Sequence, residues 1–344
     1  MTNAHTPHTA HEVAELLRSR TGRVRLVGSG SRQHRLPASG EAQQVSLLQL
    51  DQIHRLEPGD QTCSVGPGLR REVLDEALHR VGLELPCAGG GTVGGLFAHD
   101  PIGAGTIGGA SPRSLLLGLE GVLADGTRFR SGAQVVKSVA GFDVHKLLVG
   151  SDGRLFAAVQ LHLRLRPRPR AEAWFRNEGL DVAAACARFV ALRALSVPPR
   201  DLLLLRGERG CAVAGRFAGR AGFVAERLRS LDLPEAAPHA TQHLEPPAGG
   251  EVLDGIVLPS RVPQLLAALP AGRFLLRGDG RFEFATATPT ATDAALTVLP
   301  AQEAHGRIVR GEPPRRGHGS PFDAGAQQLL NGLKRCLDPH DAFV

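Results

Sequence analysis

Three glycine-dense clusters before residue 154 limit what this 344-residue chain can become. Gly28-Ser29-Gly30-Ser31 follows a strand-like run, Val24-Arg25-Leu26-Val27. Gly89-Gly90-Gly91-Thr92-Val93-Gly94-Gly95 leads into Leu96-Phe97-Ala98, which reads as a helix start. The third cluster runs from Lys137 to Gly153 and holds Gly141, Asp143 and Gly150-Ser151-Asp152-Gly153. Glycine loses more conformational freedom on folding than any other residue, so such runs belong where main chain must approach something closely.

A Gly-x-Gly after a strand raises the dinucleotide fingerprint, and Asp51 stands where a ribose-binding acid belongs. The rest of that pattern is missing. Gln33 occupies the third glycine position, and Ser31–Gln44 contains Pro37 and Gly40 with no helical stripe, so no crossover helix follows. A turn without Cβ atoms still lets successive N–H groups converge into a nest for an oxyanion. One such loop on its own reads as a tight turn. Two separated loops suit a diphosphate held from opposite sides. The expectation is that Ser29–Ser31 and Thr92–Gly95 face each other across a crevice and present bare amide hydrogens. Lys137 and Lys146, two of the three lysines in a chain with 37 arginines, fall in the third cluster and mark a place for a compact ammonium.

Composition excludes several classes. The net charge is +6, but the arginines are spread along the chain, aromatics are 4% and tyrosine is absent, so base-stacking platforms are scarce and nucleic-acid binding is not expected. The five cysteines are scattered without a Cys-x-x-Cys pair. That pattern suits a reducing cytoplasm and supplies neither a zinc ribbon nor a self-contained iron–sulfur cluster, so any cluster would sit on another chain. No apolar run approaches the roughly 18 residues of a membrane span, and the first twenty residues lack a signal-type stretch. The expected location is cytoplasmic, touching the inner membrane only through partners.

The length suits two domains. Thr9-x-x-Glu12 reads as a capping box opening a helix, and Leu69–Val81 as a helix with Leu69, Val73, Leu74, Ala77, Leu78 and Val81 on one face. Strands are expected at Val45–Leu50, Gln61–Val65 and Leu155–Leu165. Asp125-Gly126 turns a hairpin between Leu115–Leu123 and Thr127–Arg130. Val144–Val149 reads as a short helix. Arg164-Leu-Arg-Pro-Arg-Pro-Arg170 reads as a solvated linker, dividing residues 1–168 from 169–344. The second part mixes strands (Leu202–Leu205, Ala212–Phe217, Ile256–Leu258, Phe274–Leu276, Phe282–Ala285) with helices (Ala221–Leu231, Leu329–Leu337), an α+β pattern.

Taken in order, VGSGSRQH, SVGPGLRREVLDEALHRVGLELP, GGGTVGGLFA, PRSLLLGLEGVLADGTRFRSG, KSVAGFDVHKLLVGSDGRL and LRLRPRP resemble the FAD-binding domain of vanillyl-alcohol-oxidase and p-cresol-methylhydroxylase (PCMH) type flavoproteins. Within that family the chain is most similar to the FAD-binding subunits of bacterial glycolate oxidases. Weaker likeness continues through GIVLPS, RFLLRGDGRFEF, AHGRIVRG and LNGLKRCLDP. The resemblance implies an α+β fold, with a two-subdomain FAD-binding domain over 1–168. A smaller α+β cap would follow over 169–344, its last helix returning to the flavin domain.

It further implies non-covalent FAD, with Gly28, Ser29, Gly30, Ser31 and Arg32 as the pyrophosphate loop. Gly91, Thr92, Gly94 and Gly95 would form the facing wall, with Arg113, Lys137, Gly141 and Asp143 near the cofactor. His34 lies where some relatives attach flavin covalently, but the matching subunit type has no such link. The chain departs from the family at Ser114 (usually Asp), Phe142 (usually Tyr), Phe156, where backbone passes close to flavin, and the His99-Asp-Pro-Ile-Gly-Ala-Gly run.

Oxidation of a 2-hydroxy acid needs a hydride acceptor, a base and a cation for the carboxylate. The His-rich metal motif of the family's larger catalytic subunits is missing, which leaves no metal site. His305 is the candidate base, and Arg277 or Arg310 the candidate clamp. The implied function is an FAD-binding subunit of a glycolate (2-hydroxy-acid) oxidase complex, with a larger FAD-containing catalytic subunit and an iron–sulfur subunit as partners. A self-sufficient FAD oxidase of a small alcohol or hydroxy acid, and a non-catalytic scaffold with a degenerate cleft, stay open as alternatives.

Overall fold

The computed structural model describes residues 5–31, 41–87, 89–99, 110–133, 143–238, 243–312, 315, 319–320 and 324–344. Thr9 caps the helix Ala10–Ser19, its Oγ1 accepting from Glu12 N–H at 3.1 Å. Glu12 reciprocates by accepting from His8 N–H at 2.8 Å, one residue upstream of the capping-box partner. The helix buries Val13 and Leu17 beside a parallel pair, Val24–Val27 with Gln43–Ser46. The strand expected at Val45–Leu50 thus ends at Ser46.

Five antiparallel strands form the next sheet, in the order Ile53–Glu57, Thr62–Val65, Ala157–Arg164, Leu116–Val122 and Arg128–Gly132. Ala157–Arg164 alternates buried and half-buried residues along its whole length, the period-2 pattern of a strand with one face in the core. The Asp125-Gly126 hairpin forms as expected. The helix Arg71–Arg80 rests on a narrower seam than its sequence stripe suggests. Leu74 and Leu78 are buried, but Val73 and Val81 are exposed. Arg71 ties this helix to the segment that follows it, donating to Cys87 O at 2.8 Å and Leu85 O at 2.9 Å.

Arg166, Pro167, Arg168 and Arg170 are solvated, as expected, but the segment is not an unpaired linker. Arg166–Pro167 pairs with Leu83–Glu84, and Ala171–Leu180 opens the second sheet at once. Proline is accommodated because this two-residue ladder lies outside any larger sheet.

The cap is a nine-stranded antiparallel sheet, its centre running Gly210–Gly219, Asp201–Gly207, Arg273–Arg277, Arg281–Thr286, Glu251–Ile256 and His305–Arg310. Phe274, Leu276, Phe282, Phe284 and Leu253 point to one face, where they join the apolar residues of the helices Val182–Arg193, Ala221–Ser230 and Val262–Ala268 and of Pro289–Val298. The intervening residues point to the other face, which carries Arg277, Glu283, Asp254 and Arg307 among a small apolar cluster. The strand expected at Ile256–Leu258 instead ends at Ile256.

Two ion pairs tie the layers together. Arg200 Nη2 lies 2.5 Å from Glu84 Oε1, and Arg307 Nη1 lies 3.5 Å from Asp152 Oδ2. The helix Ala324–Leu337 returns to the first part of the chain, Lys334 donating to Arg154 O at 2.8 Å and also to Phe343 O at 2.7 Å. Phe343 is fully buried and bridges to Val24. Among the described residues, no helix is long and apolar enough to cross a membrane.

Candidate flavin site

The strand Val24–Val27 ends on the loop Gly28–Ser31, which forms one wall of a cleft. Thr92, Gly94 and Gly95 form part of the facing wall. The two loops touch. A Cβ on Gly28 would overlap the Thr92 hydroxyl. Leu116, Leu119, Leu148, Phe97 and Leu161 make the remainder largely apolar.

The two loops carry different backbone chemistry. Among the described residues, no hydrogen bond occupies the amides of Gly28, Ser29, Gly30 or Ser31, and Ser29 Oγ lies 3.3 Å from Ser31 Oγ. Gly30 has φ +73, a left-handed conformation that glycine adopts without steric cost. Three of the four facing amides, those of Val93, Gly94 and Gly95, are spent. Val93 N–H donates to Leu69 O and Gly94 N–H to Pro67 O, both at 2.8 Å, and Gly95 N–H donates to Thr92 Oγ1 at 3.2 Å. The expectation of bare amides on both walls therefore holds for one. Gly94 serves proximity instead, since a Cβ there would come within 2.7 Å of Pro67.

The remaining sequence candidates divide. Arg32, Lys137 and Gly141, like His34 and Phe142, lie outside the described residues. Gly91 accepts from Arg71 N–H and anchors the loop without lining the cleft. Arg113 is exposed on the short helix Pro112–Leu115, away from the lining. Asp143 caps the helix Val144–Leu147, and the Lys146 ammonium 2.5 Å away holds its carboxyl below the usual range. Ser114 is absorbed locally, its hydroxyl donating to Ser111 O. Phe156 is a wall of the cleft, packed edge-on against Phe129 at 5.6 Å.

The structure does not bring the expected base and clamps to the cleft. His305 is half-buried at the start of its strand, register partner of Ile256. Arg310 is paired with Glu245. Arg277 is fully buried and donates to Glu283 at 3.3 Å. Burial alone would push the Glu283 carboxyl up, but hydrogen bonds from His243 and Leu244 N–H and the Arg277 charge bring it down to about 2. These arginines neutralise carboxylates of the cap, so neither is placed to hold a substrate in the cleft.

Reasoning from sequence missed a different group. His99 and Asp152 line the cleft, with His99 Nδ1 2.5 Å from Asp152 Oδ1. The loop bearing Asp152 docks on the end of the helix Val93–His99, Gly150 N–H donating to Phe97 O and Asp152 N–H to Ala98 O. Those bonds satisfy carbonyls that a helix end leaves open. His99 stood out only as a departure from the family pattern, and Asp152 only as part of a glycine cluster.

The sequence profile of a family described as an FAD binding domain matches residues 3–132. Glycolate oxidase subunit GlcE of Escherichia coli (strain K12) is 31% identical over 308 residues, covering 85% of this chain and 83% of that protein. The chain belongs to the PCMH-type FAD-binding oxidoreductases.

Other relatives of this flavoprotein match over shorter stretches. A D-lactate dehydrogenase of Archaeoglobus fulgidus is 36% identical over 108 residues, 30% of this chain and 24% of that protein. Glycolate oxidase subunit GlcD of Bacillus subtilis is 30% identical over 141 residues, 39% of this chain and 30% of that protein. Among solved structures, an alkyldihydroxyacetonephosphate synthase superposes with a TM-score of 0.72 at 15% identity, covering 98% of this chain and 75% of the other. That likeness extends the shared fold through the cap.

The cleft suits the flavoprotein's cofactor. Unpaired amides beside two serine hydroxyls suit a diphosphate, the side-chain-free contact at Gly28 leaves the backbone bare, and the apolar walls suit a planar ring system.

Proposed function

We propose that this chain is the FAD-binding subunit of a glycolate (2-hydroxy-acid) oxidase complex. It would work beside a larger FAD-containing catalytic subunit and pass electrons through its flavin to an iron–sulfur subunit. Residues 1–168 would form the flavin-binding part and 169–344 the cap. The observation that carries the reading is the single cleft walled by Gly28–Ser31 on one side and Thr92, Gly94 and Gly95 on the other. Its similarity to the glycolate oxidase subunits named above supports the substrate class and the membership of a complex.

In that role the Gly28–Ser31 amides and the Ser29 and Ser31 hydroxyls hold the diphosphate. Thr92, buried and anchored by its own helix turn, sets the distance between the walls. Leu116, Leu119, Leu148 and Phe156 keep water from the ring end. Bound FAD supplies the capacity to accept a hydride and release electrons singly. Phe156 leaves the cleft open beside it, and Ser114 is occupied in a local turn, so neither departure favours a colourless scaffold.

The test is purification of the chain alone and with its partners. The chain alone carries visible flavin absorbance, or regains it when FAD is added, and shows little steady glycolate turnover until the partners are present. A protein that takes up no FAD overturns the reading of the cleft. Strong steady turnover by the isolated chain overturns the subunit role in favour of a self-sufficient oxidase.

A further inference from the structure

A chain of charged contacts runs from His99 through Asp152 to Arg307 and Asp254 of the cap. Asp152 divides its oxygens, Oδ1 lying 2.5 Å from His99 Nδ1 and Oδ2 lying 3.5 Å from Arg307 Nη1. Arg307 belongs to the cap strand His305–Arg310, where it is the register partner of Asp254, whose Oδ1 is 3.7 Å from Arg307 Nε. His99 and Asp152 are mostly buried, at 15% and 12% side-chain exposure, yet both line the cleft. Asp152 also has φ +54, a backbone conformation that favours glycine, and its neighbours Gly150 and Gly153 take the same conformation. A carboxylate kept at a left-handed position costs conformational energy, and such outliers gather where the side chain is needed.

We propose that His99 and Asp152 form a proton-accepting dyad facing the flavin cleft, with Arg307 as a positioning residue that fixes the carboxylate from the cap. The proposal rests on the flavin reading of the cleft. Asp152 accepts Nδ1–H, which selects the tautomer whose Nε2 carries a lone pair, and among the described residues no hydrogen bond occupies Nε2. The substrate is a secondary alcohol of the 2-hydroxy-acid class. Its O–H bond breaks with the proton moving to Nε2. Its carbinol C–H bond breaks with the electron pair leaving as hydride for the oxidised flavin, and the C=O bond of a 2-oxo acid forms. Asp152, held from the cap by Arg307, stabilises the imidazolium so produced.

Two measurements decide the matter. The first needs neither flavin nor turnover: nitrogen NMR of histidine-labelled protein, with the His99 signals assigned by their loss in His99→Gln. Wild type is expected to hold the Nδ1–H tautomer and Asp152→Asn to lose that preference, with Arg307→Gln intermediate. An Nε2–H tautomer in wild type overturns the proposal. The second is anaerobic bleaching of the FAD-loaded full chain by excess glycolate or lactate. Compared at FAD saturation, His99→Gln is expected to bleach at least about 100-fold more slowly. If wild type takes up no FAD, the cleft reading fails and the dyad with it. If FAD binds but His99→Gln and His99→Asn both bleach at the wild-type rate, or no 2-hydroxy acid bleaches wild type, the dyad fails and the cleft reading stands.

Discussion

The loops Gly28–Ser31 and Thr92–Gly95 look alike in sequence and do opposite work. Among the described residues, the first leaves its amides without backbone partners. The second has donated the Val93, Gly94 and Gly95 amides inward, to Leu69, Pro67 and Thr92, and uses the missing side chain of Gly94 to lie against Pro67. Glycine richness therefore has two meanings within one cleft: exposed donors on one wall, close packing on the other. Substitutions on the packing wall should act on folding, and those on the donor wall on the ligand.

The largest effect should come from Gly94→Val. Its Cβ would meet Pro67 O at 2.8 Å, and the Gly94–Pro67 hydrogen bond restrains the backbone from yielding. Overpacking of this kind should cost about 3 kcal/mol of unfolding free energy without FAD. Urea denaturation of the apoprotein measures it, and an unchanged midpoint would erase the contrast between the walls.

Gly28→Ala probes the seam where the loops meet. The added methyl confronts Thr92, which is buried, so both stability and ligand binding should suffer. The apoprotein should lose about 1 kcal/mol. FAD affinity should fall about tenfold, or about 1.4 kcal/mol. Adding Thr92→Ala should recover part of the affinity, giving a coupling energy of about 0.5 kcal/mol or more in a double-mutant cycle.

Gly30→Ala meets no atom within 4 Å but forces a methyl-bearing residue to φ +73. Differential scanning calorimetry should register about 1 kcal/mol for it. Gly30→Asn should cost less, because asparagine tolerates that conformation. The smallest effect belongs to Ser29→Ala. Fluorescence titration should show FAD binding weakened by a few-fold, about 1 kcal/mol for one lost hydrogen bond, with apoprotein stability unchanged. A large stability loss here would mean that the donor wall is structural as well.

Much of the flavin domain was legible because its signals are local. The Thr9 cap, the strand before Gly28 and the Asp125-Gly126 turn each depend on a few neighbouring residues. The pairing of Arg166–Pro167 with Leu83–Glu84 depends on residues more than eighty positions apart, and prolines alone suggested a linker instead. Ala171–Leu180 escaped notice because its exposed and half-buried residues follow no clean alternation. Arg307 and Asp254 form one row only once their strands pair, and no spacing in sequence predicts that Arg307 reaches Asp152. The glycine clusters announced a cleft. Which amides remained available was a property of Pro67 and Leu69, residues outside the clusters.

The strand that leads into Gly28 has Phe343 bridged to its first residue, and Val344 N–H donates to Val24 O. A ribosome delivering this polypeptide releases the Gly28 loop long before it releases the aromatic ring that underpins it. The nascent N-terminal half thus emerges with an unfinished floor. Cofactor capture becomes a late event, set by the emergence of Phe343 and not by the appearance of the residues that make the contacts.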